Sequence, residues 1–253
     1  MPQVDLNCDL GESFGRYTLG LDDQVLPYIT SANVACGFHA GDPEVMQHTV
    51  DLAVADHVQI GAHPGLPDLE GFGRRPMQIT PEAARDDVKY QIGALQAFVP
   101  SHRLHHVKPH GALYNMAVKD YDLAYAICKG IKEVDPQLLL VGLANSQLIR
   151  AAKEVGLPYE QEVFADRAYE ADGSLVSRQK PGAVIVDEDL AVSRTINMIK
   201  THQVTSIDGQ VIDIQPDTIC VHGDGVKALA FVKKIHQALT NDGIKVTAQQ
   251  VHA

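Results

Sequence analysis

Short apolar runs recur along this chain, and each ends in a polar residue beside glycine or proline. They lie at 4–12 (VDLNCDLGE), 32–42 (ANVACGFHAGD), 58–65 (VQIGAHPG), 106–114 (HVKPHGALY) and 219–225 (ICVHGDG). The periodicity predicts strands at 4–8, 32–36, 58–62, 104–108, 138–143, 161–165 and 218–221, mostly alternating with helices at 43–56, 80–98, 119–134, 145–155, 187–202 and 224–241. Asp42 before Pro43, and Thr80 before Pro81 and Glu82, supply helix caps with proline at the first helical position. Strand–helix alternation implies parallel pairing through right-handed crossovers, which leaves an open doubly wound sheet or a barrel. An open sheet gathers its site at a few strand ends beside a switch point, whereas here five of seven strands carry polar termini. A distorted seven-stranded parallel (β/α) barrel with its site at the mouth explains that pattern better.

With 253 residues and no break in composition, one barrel domain over 1–253 is expected, its last few residues a flexible tail. Two stretches, 64–79 and 166–185, exceed ordinary connections and carry Gly71, Gly73, Arg74, Arg75, Arg167 and Arg178; they are expected to form lids over the mouth. A formal charge of −11 argues against general affinity for nucleic acid or anionic membranes, so an anionic ligand must meet a local arginine or lysine cluster. No leader-like start and no apolar run of membrane-spanning length is found, and a cytoplasmic location is expected. Cys8, Cys36, Cys128 and Cys220 are widely spaced, so buried free thiols are expected rather than a disulfide framework or a zinc ribbon.

Period two places Asp5, Asn7 and Asp9 on one face of the first strand and Val4, Leu6 and Cys8 on the other. The same arithmetic groups His106, Lys108 and His110 on the fourth. Polar groups inside a barrel need partners; Lys108 therefore either pairs with Asp5 or Asp9, or is held for a carboxylate or a developing oxyanion. Of twelve histidines, His39, His63, His110 and His222 fall at strand ends and converge with Asp9 and Asp224. They suit acid–base work or a divalent metal, with Asp9, His39, His63 and His110 as candidate ligands, although no local ligand spacing such as HExxH is present. Neither a GxxxxGK[ST] loop nor a strand-linked GxGxxG or GxSxG occurs, so nothing recognisable binds ATP or a dinucleotide or supplies a serine nucleophile.

The motifs DLNCDLGES at 5–13, NVACGFHAGDP at 33–43, GAHPG at 61–65, GFGRRPM at 71–77, KPHGALYN at 108–115, FADRAYEADGSLVSR at 164–178 and VHGD at 221–224 occur in one order. Together they resemble the LamB/YcsF family, once described as lactam-utilisation proteins, over about residues 3–247. The resemblance implies a barrel similar to that of polysaccharide deacetylases, and ATP-dependent cleavage of 5-oxo-L-proline to L-glutamate by a 5-oxoprolinase whose other subunits are termed B and C. The missing phosphate loop fits ATP being engaged mainly by those partners. Residue chemistry and strand position then suggest Asp9 or His110 as general base, His63 or His222 as acid, and Lys108 at the oxyanion. Arg74 or Arg75 would clamp the substrate carboxylate, with Asn7, Asn33, His39 and Arg167 as further substrate-binding positions. The competing readings are a metal-dependent deacetylase or amidohydrolase, and a non-catalytic subunit that binds substrate for its partners.

Overall fold

The structure, a computed structural model, describes residues 2–221 and 226–249. Along them run β1 (Gln3–Leu10), α1 (Asp22–Val25), β2 (Ser31–Ala35), α2 (Pro43–Ala55), β3 (Gln59–His63), α3 (Pro81–Gln96), β4 (His106–Val107), α4 (Gly111–Ala117) and α5 (Tyr121–Val134). Then come β5 (Leu139–Leu143), α6 (Gln147–Val155), β6 (Tyr159–Phe164), α7 (Glu188–Thr201), β7 (Gln203–Thr205), β8 (Val211–Asp213), β9 (Thr218–Val221), α8 (Val226–Asn241) and β10 (Lys245–Val246). Strands β1, β2, β3, β4, β5, β6 and β9 pair in that order, all parallel, and β9 closes back onto β1. The expected seven-stranded parallel barrel is therefore present, with β10 running parallel to Gln3 and Val4 at its base.

Local chemistry accounts for the elements. Asp42, Thr80, Asp120 and Asp187 accept hydrogen bonds from backbone N–H groups at the starts of α2, α3, α5 and α7. Helix α5 buries Leu123, Ile127 and Ile131, one stripe at four-residue spacing, between α3 and α6. On β1 the apolar set Val4, Leu6, Cys8 and Leu10 belongs to the core shared with the helices, while Asp5 and Asn7 turn into the barrel and are equally buried.

Three features depart from the expected elements. The fourth strand shrinks from 104–108 to His106–Val107, and helix α4 starts directly after His110, so the KPHGALYN motif is a strand-to-helix turn. Between α7 and β9 an antiparallel hairpin, β7 with β8, lies outside the barrel. Its signal was the Asp208-Gly209 pair between alternating residues, with Gly209 at φ 83°.

Candidate active site at the barrel mouth

The polar interior is layered from the barrel base towards its mouth. At the base Asp5 accepts hydrogen bonds from Thr30 Oγ1 at 2.6 Å, from Ser31 Oγ at 2.7 Å and from Thr218 Oγ1. Above it Asn7 donates to Thr218 Oγ1 at 2.7 Å, and Asn33 donates at 2.8 Å both to Asn7 Oδ1 and to Asp9 Oδ1. The remaining amide oxygen of Asn33 takes a 2.7 Å bond from His106 Nε2. His106 fits inside only because Gly61 faces it: a Cβ there would lie 2.2 Å from the imidazole.

At the next level a single ammonium organises the floor of the mouth. Lys108 Nζ lies 2.7 Å from Glu162 Oε1, 3.1 Å from both Asp9 Oδ1 and Asn7 Oδ1, and 3.2 Å from Cys220 Sγ. Burial works against the charged lysine, but Asp9 and Glu162 outweigh it and raise its pKa well above the usual value. Burial likewise works against ionised Asp9, yet His63 and Lys108 hold it well below the usual carboxylate range. The Asp9 side chain, 22 % exposed, is the carboxylate of this layer that opens to solvent.

Beside Asp9 stands a histidine cluster. Glu12, His39, His63 and His110, all buried, each bring one ligand atom to within 4.8 Å of the others. The His39 and His110 rings stack at 3.7 Å, with His63 edge-on to both. His63 Nδ1 lies 2.7 Å from the Lys108 carbonyl, which can only accept, so Nδ1 carries a proton and Nε2 faces Asp9 Oδ2 at 3.4 Å. Burial, with His63 and other positive neighbours, pushes His110 down to about 2, and burial with His110 lowers His39 well below its usual value. Both are therefore neutral imidazoles, the form that binds metal. Both ring nitrogens of His39, Nε2 of His63 and Nδ1 of His110 have no hydrogen-bond partner among the described residues. Buried donors and acceptors are normally paired, so this set fits a divalent cation with nitrogen and oxygen ligands.

The loop 64–79 closes on these rings. Gly73 has φ 62°, and a Cβ on it would stand 2.7 Å from the His39 side chain and 2.8 Å from His110 Nδ1, so the GFGRR motif is a close-approach glycine turn. A cavity of about 360 Å³ opens above the floor, bounded by Asp9, Glu12, His63 and Lys108 below and by Arg74, Arg167 and Arg178 at its sides. Both long loops thus border the mouth. Arg167 is buried, donating Nη2 to the Val176 carbonyl at 2.6 Å and Nε to the Ala183 carbonyl at 3.3 Å, which ties the loop 166–185 together. Arg75 turns away to pair with Asp68 and is 63 % exposed.

Of the residues singled out in the sequence, Asp9, His63, Lys108, His110, Arg74 and Arg167 line this cavity. His39 stands behind His110, Asn7 and Asn33 lie beneath the floor, and His222 with Asp224 lies outside the described residues. Lys108 makes the anticipated internal ion pair with Asp9 and also borders the cavity. The sequence reading missed Glu12, Glu162 and Tyr114. Glu12 sits in the DLGES motif, where it replaces Asp9 as the carboxylate grouped with the three histidines. Glu162 was legible as the neighbour of Phe164 on one face of the sixth strand.

Comparison with known proteins decides the family: the LamB/YcsF model matches residues 4–253. The chain belongs to the LamB/YcsF family. A relative from Limosilactobacillus fermentum, named as the A subunit of 5-oxoprolinase, is 59% identical over 248 residues, covering 98% of this chain and all of that one. One of the same name from Bacillus subtilis is 56% identical over 250 residues, covering 98% and 97%. A crystal structure described as a lactam utilization protein, from Thermus thermophilus, superposes with a TM-score of 0.93 at 43% identity, covering 98% of this chain and all of that one. Among the described residues no helix is long and apolar enough to cross a membrane.

Proposed function

We propose that this LamB/YcsF chain is the lactam-opening component of an ATP-dependent 5-oxoprolinase, converting 5-oxo-L-proline to L-glutamate together with B and C subunits. The observation that carries the reading is a cavity of about 360 Å³ whose floor joins a half-buried, ionised Asp9 to Lys108 and to the Glu12/His39/His63/His110 cluster. The names of the relatives supply the substrate. A five-membered lactam is a resonance-stabilised amide; phosphorylation of its oxygen, a step for the ATP-handling partners, makes the ring carbon electrophilic. Water then adds to that carbon and the C–N bond breaks as nitrogen takes a proton. A second water releases phosphate from the resulting acyl phosphate.

Asp9 is the base for the attacking water, since of the two floor carboxylates it is the more exposed, at 22 % against 8 % for Glu12; His110, held neutral, is the second candidate. His63 or His222 serves as acid to the departing nitrogen. Lys108, whose three protons already face Asn7, Asp9, Glu162 and Cys220, stabilises the oxyanion through its charge more than through a new hydrogen bond. Arg74 and Arg167, which line the cavity, are better placed for the substrate carboxylate than Arg75. A divalent metal held instead by Glu12, His39, His63 and His110 would supply Lewis acidity, and those rings would then be ligands in place of acid or base.

The test is reconstitution with the B and C subunits, following glutamate and ADP. The complete set is expected to form both, and omission of this chain to leave ADP formation without glutamate. Undiminished glutamate release in its absence would refute the reading. The histidine cluster favours one second reading, a metal-dependent amidohydrolase or deacetylase, which ATP-independent hydrolysis of an acetylated sugar by the metal-loaded chain would establish.

A further inference from the structure

We propose that Glu162 is a positioning residue for this site: from inside the barrel wall it fixes the Lys108 ammonium, and through it Asp9, without itself meeting the substrate. The inference rests on the lactam-opening reading above and concerns which residues set its geometry.

Glu162 lies on β6, opposite Leu143 of β5 and Thr218 of β9, and is fully buried. Lys108, Tyr114, Asp9 and Phe164 line the cavity, and Glu162 does not. Its two oxygens are used separately: Oε1 is 2.7 Å from Lys108 Nζ, and Oε2 accepts the Tyr114 hydroxyl at 2.7 Å. One carboxylate therefore grips both ends of the segment 108–114, the lysine at the close of β4 and the tyrosine of α4, with His110 between them. Any play in that grip would be felt by the ammonium facing Asp9 and by a ring of the histidine cluster.

A purely stabilising role explains this poorly. A buried ion pair adds little stability over apolar residues of the same volume, because desolvating the two charges consumes most of their attraction. Lys108 is also over-supplied: an ammonium has three protons, and four acceptors surround it. Without Glu162, Asn7, Asp9 and Cys220 would still satisfy all three protons, but the hold on the ammonium towards β6 would fall to the face of the Phe164 ring, 5.6 Å away. Glu162 thus determines where Lys108 sits, more than whether it can be buried.

The experiment is a double-mutant cycle in the reconstituted three-subunit enzyme, measuring glutamate release. Glu162→Gln keeps shape and polar contacts while removing the charge. It is expected to lower kcat by about tenfold or more, the scale of small misplacements at reacting groups, with KM for 5-oxoproline within about twofold. On a Lys108→Met background, Glu162→Gln is expected to cause no further loss, because the residue acts through the lysine. Losses that multiply, or a Glu162→Gln enzyme with normal kcat, would overturn the proposal. Thermal unfolding of each variant, with kcat referred to folded chain, keeps a folding defect from passing for a positioning effect. If Asp9→Asn and Lys108→Met leave glutamate release intact, the lactam-opening reading itself fails; if they lower it to a measurable residue and the cycle is additive, only the role of Glu162 falls.

Discussion

The lower interior of the barrel and its mouth are built from the same kinds of residue and treat them in opposite ways. Below, the oxygens of Asp5 and the amides of Asn7 and Asn33 have partners on neighbouring strands, and His106 donates into the same network. At the mouth, equally buried nitrogens, both of His39, Nε2 of His63 and Nδ1 of His110, have no hydrogen-bond partner among the described residues. Polar groups that satisfy one another define a structure, and polar groups that converge unsatisfied define a place for something else. The boundary between the two regions is Asp9, bonded from below by Asn33 and facing His63 and the cavity above.

Substitutions should separate the two regions. The largest effect is expected at the mouth: His63→Ala or His110→Ala should remove bound divalent metal, measured by elemental analysis after loading, and lower glutamate formation on the order of a hundredfold or more. Metal retained at the wild-type ratio would break the distinction drawn here. Below, Asp5→Ala leaves the hydroxyls of Thr30, Ser31 and Thr218 without their shared acceptor and should destabilise the fold by about 2–4 kcal/mol in denaturant titration. The surviving enzyme should keep kcat within about threefold.

A smaller effect, of opposite sign, is expected at Glu160 near the barrel base. Burial first, then the charges of Asp5 and Asp217, raise its pKa well above the usual value, against a backbone hydrogen bond at Gln249 that lowers it. The folded state therefore holds a proton that the unfolded state releases near pH ~4.3. The stability linked to this group is present below that pH and is lost as pH rises through the folded pKa. Glu160→Gln should then gain about 1–2 kcal/mol at about pH 7 and almost nothing at about pH 4, read from unfolding at both. An equal gain at both pH values would show that Glu160 does not carry a buried proton.

Much of this was legible in the sequence because period two is strict in a strand. Once Asp5, Asn7 and Asp9 share a face with the barrel interior, their burial and cross-strand bonding follow, as does the meeting of Lys108 with Asp9. Polar strand ends also located His39, His63 and His110. Glu12 escaped notice because it lies past the end of β1, after Gly11 at φ 68°, where alternation no longer says which way a side chain points. Glu162 sits mid-strand on β6, away from the glycines and prolines that mark the polar strand ends, so its local sequence does not set it apart. The different fates of Arg74 and Arg75 were also illegible: adjacent in sequence, one lines the cavity and the other is taken by Asp68, a contact within a loop that has no period.

The most direct test of the chain's role is the ratio of glutamate to ADP formed by the reconstituted enzyme carrying Asp9→Asn, a change that keeps the side chain's size and its polar contacts while removing the charge that opens to the cavity. Wild-type enzyme should form the two together, and the Asp9→Asn enzyme should still form ADP with glutamate reduced on the order of a hundredfold or more. Glutamate formed in step with ADP at the wild-type rate would contradict a lactam-opening role for Asp9 and for the mouth of this barrel.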